Sequence, residues 1–238
     1  MTATHLRSDA TAMIYAIIQL NVAGIRSTGV VLMQALVDLA THPWSVQELL
    51  SEVETVRGDK QQPLSPRELD QLVKMDSFLK ESQRHVPQNI LSVYRKVMSP
   101  LTLRDGTILP TGSYVCVPSI DTEATLTVKP TGEKPVHPSR AFDPFRWSRL
   151  RVQSPKTESR YLSVTTGPNS LEFGHGSHAC PGRFFATNVM KSVLVAVLEK
   201  YEICLADVSK QEHEYNKVLV LNHDTARTIG FKARSSLV

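Results

Sequence analysis

Phe173-Gly174-His175-Gly176-Ser177-His178-Ala179-Cys180-Pro181-Gly182-Arg183-Phe184-Phe185-Ala186 is the stretch on which the reading of this chain turns. Three glycines flank one cysteine, and apolar residues at Val189, Val193, Leu194, Val197 and Leu198 then recur at helical spacing. The cysteine therefore sits at the mouth of a helix. Glycine lets a backbone approach a flat partner closely, and a helix N-terminus offers unpaired amides and a positive dipole that favour a thiolate.

Three readings of this stretch stand side by side. A lone cysteine is most often a buried, inert one. Zinc on His175, His178 and Cys180 is chemically feasible, although three ligands at this spacing are unlike the common Cys/His patterns. A thiolate ligating haem iron accounts for the glycines and the helix start as well as the cysteine.

The surrounding composition is that of an ordinary globular chain. Of 238 residues, 41% are hydrophobic and 21% charged, which fits neither disorder nor a fibrous repeat. That length is enough to bury a real core. A formal charge of +4, from 27 Lys and Arg against 23 Asp and Glu, lacks the clustered excess of a nucleic-acid binder, so no nucleic-acid partner is expected. Cys116, Cys180 and Cys204 form no Cys-x-x-Cys pair, so neither a disulfide scaffold nor a thiol zinc knuckle is indicated. The most apolar stretch, Ala12 to Ile25, is interrupted by Gln19 and Asn21 and reads as shorter than the about 20 apolar residues a bilayer requires. No anchor or export signal is expected.

Toward the N-terminus, residues 11–41 carry Ile14, Ile18, Val22, Ile25, Leu32, Leu36 and Leu39 at steps of three and four, a pattern that predicts one long helix. His42-Pro43 ends it. A second helix is predicted over about 44–56, stopping at Arg57-Gly58-Asp59. Ser65-Pro66-Arg67-Glu68 reads as a capping box, starting a helical stretch over 66–86 with a break near Lys74. Alternation between Val93 and Pro118, with Asp105-Gly106 inside it, predicts a small antiparallel sheet. Residues 119–170 lack a sustained period and read as a long irregular connection. The tail holds short β-like pieces such as Val218-Leu219-Val220-Leu221. The predicted fold is mainly α with a minor antiparallel β sheet.

The cysteine stretch resembles the haem-binding signature of the cytochrome P450 family, Phe-x-x-Gly-x-Arg/His-x-Cys-x-Gly, met here by Phe173, Gly176, His178, Cys180 and Gly182. The resemblance implies haem b (iron protoporphyrin IX) with Cys180 as the axial iron ligand, whose thiolate pushes electron density toward O–O cleavage. It places His178 where the family often has an arginine facing a haem propionate. Cys-Pro-Gly-Arg-Phe-Phe-Ala resembles the fungal branch.

Further motifs follow in the family's order. Glu81-Ser82-Gln83-Arg84 is similar to its Glu-x-x-Arg, two charges three residues apart on one helical face. Phe142-Asp143-Pro144-Phe145-Arg146-Trp147 would supply, as Arg146, the arginine that joins Glu81 and Arg84 in a structural triad. Ala23-Gly24-Ile25-Arg26-Ser27-Thr28 resembles the oxygen-binding helix segment. By that resemblance Ser27 and Thr28 assist proton delivery, and Ile25 lines the substrate side. Arg26 departs from the acid or histidine usual there and cannot readily shuttle protons. The segment between Pro118 and Phe142 also departs from the family's pattern.

The resemblance covers nearly all of this chain and the C-terminal half of the cytochrome P450 fold. Residues 1–238 are expected to form a partial domain, with a long oxygen-binding helix at 11–41, the Glu-x-x-Arg region at 66–86, the arginine loop at 142–147 and the haem-binding loop and helix start at 173–186. It implies a haem-thiolate monooxygenase acting on a hydrophobic small molecule such as a fungal terpenoid or polyketide. Electrons would come from NADPH through NADPH-cytochrome P450 reductase. The alternative is a truncated, catalytically inactive remnant. Family members of this type sit on the endoplasmic reticulum membrane; a chain without an anchor would otherwise be cytoplasmic.

Overall fold

The structure is a computed structural model that describes residues 9–60, 62–89, 91–119, 141–153, 155–205, 214–215, 221–222 and 229–234. Helix α1 runs from Ala10 to Thr41, 32 residues without a break. Asp9 starts it by accepting the amides of Thr11 and Ala12, and His42 ends it ahead of Pro43. Asn21 Nδ2 donates to Ile17 O at 2.9 Å, so this polar side chain is absorbed by its own helix. That corrects the expectation of a stretch too short for a bilayer. By length and composition α1 is long and apolar enough to cross a membrane, and no residue of its most apolar window is buried.

Helix α2 spans Trp44–Arg57. The stretch expected over 66–86 is two helices, α3 at Pro66–Leu69 and α4 at Val73–His85. The break has a physical cause outside the stretch: Glu52 of α2 accepts the amides of Lys74 at 2.6 Å and Met75 at 2.9 Å, which starts α4 from a neighbouring helix. Burial pushes the Glu52 carboxyl up, against the pull of those two amides and nearby lysines.

Strand β1, Leu91–Lys96, pairs antiparallel with β4, Tyr114–Pro118. Between them β2, Leu101–Thr102, pairs with β3, Ile108–Leu109. Gly106 N–H donates to Leu103 O at 3.0 Å and Gly106 takes φ +88°, so Asp105-Gly106 turns this hairpin as the sequence predicts. Val93 lies at φ +56° where β1 slips register between Ser92 and Arg95, a bulge that turns the strand.

The connection read as irregular contains helix α5, Arg146–Gln153, and a 3₁₀ segment at Pro155–Tyr161. Ser77 of α4 holds its start, accepting the amides of Trp147 and Ser148 at 3.1 Å each and donating to Pro144 O. Helix α6, Arg183–Lys200, leads into β5, Tyr201–Leu205, which pairs antiparallel with β8, Ile229–Ala233. Strands β6, Glu214–Tyr215, and β7, Leu221–Asn222, form another pair. The altered segment at 120–140 and the pieces at 218–220 lie outside the described residues.

The fold is thus mostly helix with small antiparallel ladders. Its core joins the second half of α1 (Ala35, Leu39) with Leu49 and Val53 of α2, Met75, Phe78 and Leu79 of α4, and Met190, Leu194 and Leu198 of α6. Each of those side chains is at most 1% exposed, which is where apolar burial stabilises most. The first half of α1 projects beyond this core.

Candidate functional site

The cysteine loop is folded back on itself. Gly174 N–H donates to Leu171 O at 2.9 Å, Ala179 N–H to Gly176 O at 3.0 Å, and Cys180 N–H to Phe173 O at 2.7 Å. A 3₁₀ turn at Gly176–His178 fills the middle. Gly174 and Gly176 adopt φ +69° and +72°, a region that side chains with a Cβ enter only at a cost. A Cβ at Gly174 would also come into contact with His178 O at 3.4 Å. Phe173 packs its ring against the core.

Cys180 is a half-buried free thiol two residues ahead of Gly182, the N-cap of α6. A Cβ on Gly182 would lie 3.9 Å from its Sγ, so the space beside the sulfur is kept by a glycine. His178 is exposed, and His175 Nδ1 is buried with no hydrogen-bond partner among the described residues. A soft sulfur donor at a helix entrance, held by a glycine loop, fits iron in a flat macrocycle. Among the described residues no three His, Cys, Asp or Glu side chains gather as a metal cluster, so His175, His178 and Cys180 do not assemble a zinc site.

Glu81, with no exposed surface, anchors the ion-pair centre. Arg84 reaches it with Nε at 2.9 Å and Nη2 at 2.8 Å, and Arg146 with Nε and Nη2 at 3.3 Å each. Two partners were not legible in the sequence: the Trp147 indole N–H donates at 3.1 Å and the Asp143 amide at 3.0 Å. Every lone-pair direction of this carboxylate is engaged, the condition for a buried charge to be tolerated. Both guanidiniums also donate to Ala141 O, and Phe142 sits against His42, Phe78 and His85. The arginine loop is thereby fixed on α4.

On α1, Ser27 and Thr28 are half-buried, while Gly24, Ile25 and Arg26 are exposed. Ser27 Oγ donates to Ala23 O at 2.5 Å, bonding its own helix as serines inside helices do. Among the described residues no hydrogen bond joins this segment to the cysteine loop. A shallow groove lies between α1 and the end of α4, lined by residues that include Val30, Gln34, Ser82 and Val86.

From the sequence, Arg183 reads as a basic residue near the cysteine helix, a solvated charge or a contact for an acidic reductase, with no role inside the loop. Its Nη1 donates to Cys180 O at 2.8 Å and its Nε to Val164 O at 3.0 Å. Arg95 of β1 also touches the loop, Nη2 to His175 O at 3.4 Å. No local sequence pattern marks either contact.

Comparison with known proteins bears on this arrangement. The sequence model described as Cytochrome P450 matches residues 7–229. The chain is 40% identical over 207 residues to the cytochrome P450 monooxygenase BOA7 of Botryotinia fuckeliana, covering 83% of this chain and 38% of that protein. To the cytochrome P450 monooxygenase prx8 of Penicillium rubens it is 39% identical over 185 residues, 76% of this chain and 32% of the other. To BOA4 of Botryotinia fuckeliana it is 36% identical over 228 residues, 95% and 44% of the two. The chain therefore spans less than half the length of these relatives. Among solved structures, a crystal structure titled as a cytochrome P450 (CYP102L1) superposes with a TM-score of 0.73 over 95% of this chain and 47% of the other, at 20% identity; that likeness is one of fold.

Proposed function

The chain belongs to the cytochrome P450 family, and on that premise we propose that it carries the haem-ligating portion of a haem-thiolate monooxygenase that inserts one oxygen atom into a hydrophobic small molecule. The observation that supports this reading best is the closed glycine loop that presents the Cys180 sulfur beside the first turn of α6. Cys180 would hold the iron, with Gly176 and Gly182 leaving room for the ring and His178 facing its polar edge. Bound there, haem would supply oxygen activation, which a thiolate ligand favours.

The protein's own residues position and protonate. Ser27 and Thr28 offer hydroxyls on the half-buried side of α1; Ser27 would have to leave Ala23 O to pass a proton on, a rotation about one bond. The Glu81, Arg84 and Arg146 centre keeps the arginine loop on α4 and takes no part in the chemistry. Electrons would come from NADPH through NADPH-cytochrome P450 reductase at the endoplasmic reticulum membrane. A fungal secondary metabolite such as a terpenoid or polyketide is the substrate class we favour, by analogy with the fungal relatives.

Arg26 favours a second reading, a catalytically silent member, because a fixed cation at that point of α1 cannot relay protons. One experiment separates thiolate binding from its absence. The purified chain is supplied with haemin, reduced with dithionite and exposed to carbon monoxide. A Soret band at the long wavelength of thiolate ligation is expected, lost in Cys180→Ala and kept in Cys116→Ala and Cys204→Ala. If Cys180→Ala keeps the band, the ligand assignment falls. Turnover measured with the reductase then distinguishes the working enzyme from the silent one.

A further inference from the structure

Two buried charges of α4 hold the segment at residues 162–170. Asp76 accepts the Ser163 amide at 2.9 Å and the Ser163 hydroxyl at 2.7 Å, and Lys191 of α6 pairs with the same carboxylate at 2.9 Å. One helical turn on, Lys80 Nζ donates to Ser170 Oγ at 2.7 Å and Leu162 O at 3.2 Å. Both residues are at most 4% exposed. Residues 162–170 therefore form a shelf fastened to α4 at both ends, closed by the Gly167 and Ser170 backbone pair.

Arg183 spans from that shelf to the cysteine. Its Nε takes Val164 O, next to the anchored Ser163, and its Nη1 takes Cys180 O. The guanidinium lies 4.5 Å from the Phe184 ring centroid, which narrows its choice of rotamer. The Cys180 peptide is thus held on both sides, its N–H by Phe173 O and its carbonyl by Arg183.

We infer that Arg183 is a positioning residue for Cys180, clipping the carbonyl of the cysteine to the α4-anchored shelf so that the sulfur keeps one place relative to the loop. The inference rests on Cys180 being the working cysteine of the proposed function. A planar fork suits this task because it serves two carbonyls at once, which an ammonium at the end of a flexible stem does less well. Losing a charge-assisted hydrogen bond at each end frees the loop to open locally.

The test uses the rate at which a maleimide alkylates Cys180, followed by peptide mass spectrometry, with exposed Cys116 and Cys204 as internal controls. Arg183→Gln is expected to speed Cys180 alkylation roughly tenfold and to leave the other two rates and the melting temperature nearly unchanged. Arg183→Lys is expected to fall between, and it carries the test if the glutamine variant does not fold. A Cys180 rate within twofold of the parent in a folded Arg183→Gln chain, or a lysine variant as slow as the parent, overturns the clip. A second readout is the reduced carbon monoxide spectrum of haemin-loaded chain, where Arg183→Gln should lower the share of the long-wavelength band at equal total haem. A merely structural residue would lower haem uptake and melting temperature together. Failure of the haem reading would appear as a parent chain lacking the band, while the alkylation result stands on its own.

Discussion

Ser82 Oγ donates to Asp38 Oδ2 at 2.6 Å in the interior, and Gln34 donates to the other oxygen of the same carboxylate at 2.9 Å. Helix α4 thus turns two consecutive polar residues in different directions: Ser82 ties it to α1, while Glu81 ties it to the arginine loop. Ser82→Ala removes a donor to a buried charge and should cost about 1.5–3 kcal/mol. The check is a urea titration, in which the midpoint should fall with the slope unchanged. An unmoved midpoint would mean that packing alone joins the two helices.

Glu81→Gln tests the buried ion-pair centre. The substitution keeps the shape but removes the buried carboxylate charge that Arg84, 7% exposed, and Arg146 share. Removing one partner of a buried pair costs about 3–5 kcal/mol. Arg146→Lys should cost less, because that side chain is 25% exposed and water can replace its bonds. Thermal melting of both variants decides the order, and a more damaging lysine variant would refute this account.

The reach of the sequence is clearest from how helices begin. The start of α1 is written locally, in Asp9, and that of α3 in Ser65-Pro66-Arg67-Glu68. By contrast α4 and α5 are capped by groups from elsewhere, Glu52 and Ser77. No local pattern records such caps, so the sequence marks the break before Val73 only roughly and gives no sign of α5. Arg-Trp-Ser-Arg-Leu-Arg-Val-Gln also has too few apolar residues to show a stripe. The cysteine loop was legible for the opposite reason, since its glycines, turn and helix entrance are contiguous. Arg146 came from resemblance alone, and Trp147 and Arg183 needed the packing.

Gly174 and Gly176 separate backbone strain from crowding. Both sit at positive φ, and alanine there should cost about 1–2 kcal/mol of conformational strain. Only at Gly174 would the new methyl also meet His178 O, at 3.4 Å; at Gly176 nothing lies within 4 Å. Gly174→Ala should therefore lower the melting temperature more than Gly176→Ala. Equal losses would show that the loop yields freely around residue 178.

The capping box of α3 gives a pH signature. The Lys60 ammonium, then the Ser65 amide and hydroxyl, hold the Glu68 carboxyl at about 2, below its ordinary value of 4.5. An acid depressed in this way contributes stability that is present above its unfolded value and is lost as pH falls through its folded one. The stability difference between the parent and Glu68→Gln should therefore shrink from about pH 4.5 to about pH 2. The effect is small, because Glu68 lies at the surface and water screens its partners. A difference that grows on acidification would reverse the assigned sign.

The first half of α1 carries Ile14, Ile18 and Ile25 on one face, 52–71% exposed, with Ile17 and Val22 beside them. Solvent-exposed stripes of this extent bind apolar partners or themselves. The chain should enhance the fluorescence of an apolar dye and sediment as associated species, and Ile18→Lys with Ile25→Lys should reduce both. Neither residue is part of the core cluster, so the melting temperature should stay where it was. Coupled losses of dye binding and melting temperature would instead mean that this half of the helix supports the fold, and unchanged dye binding would mean that the apolar surface lies elsewhere.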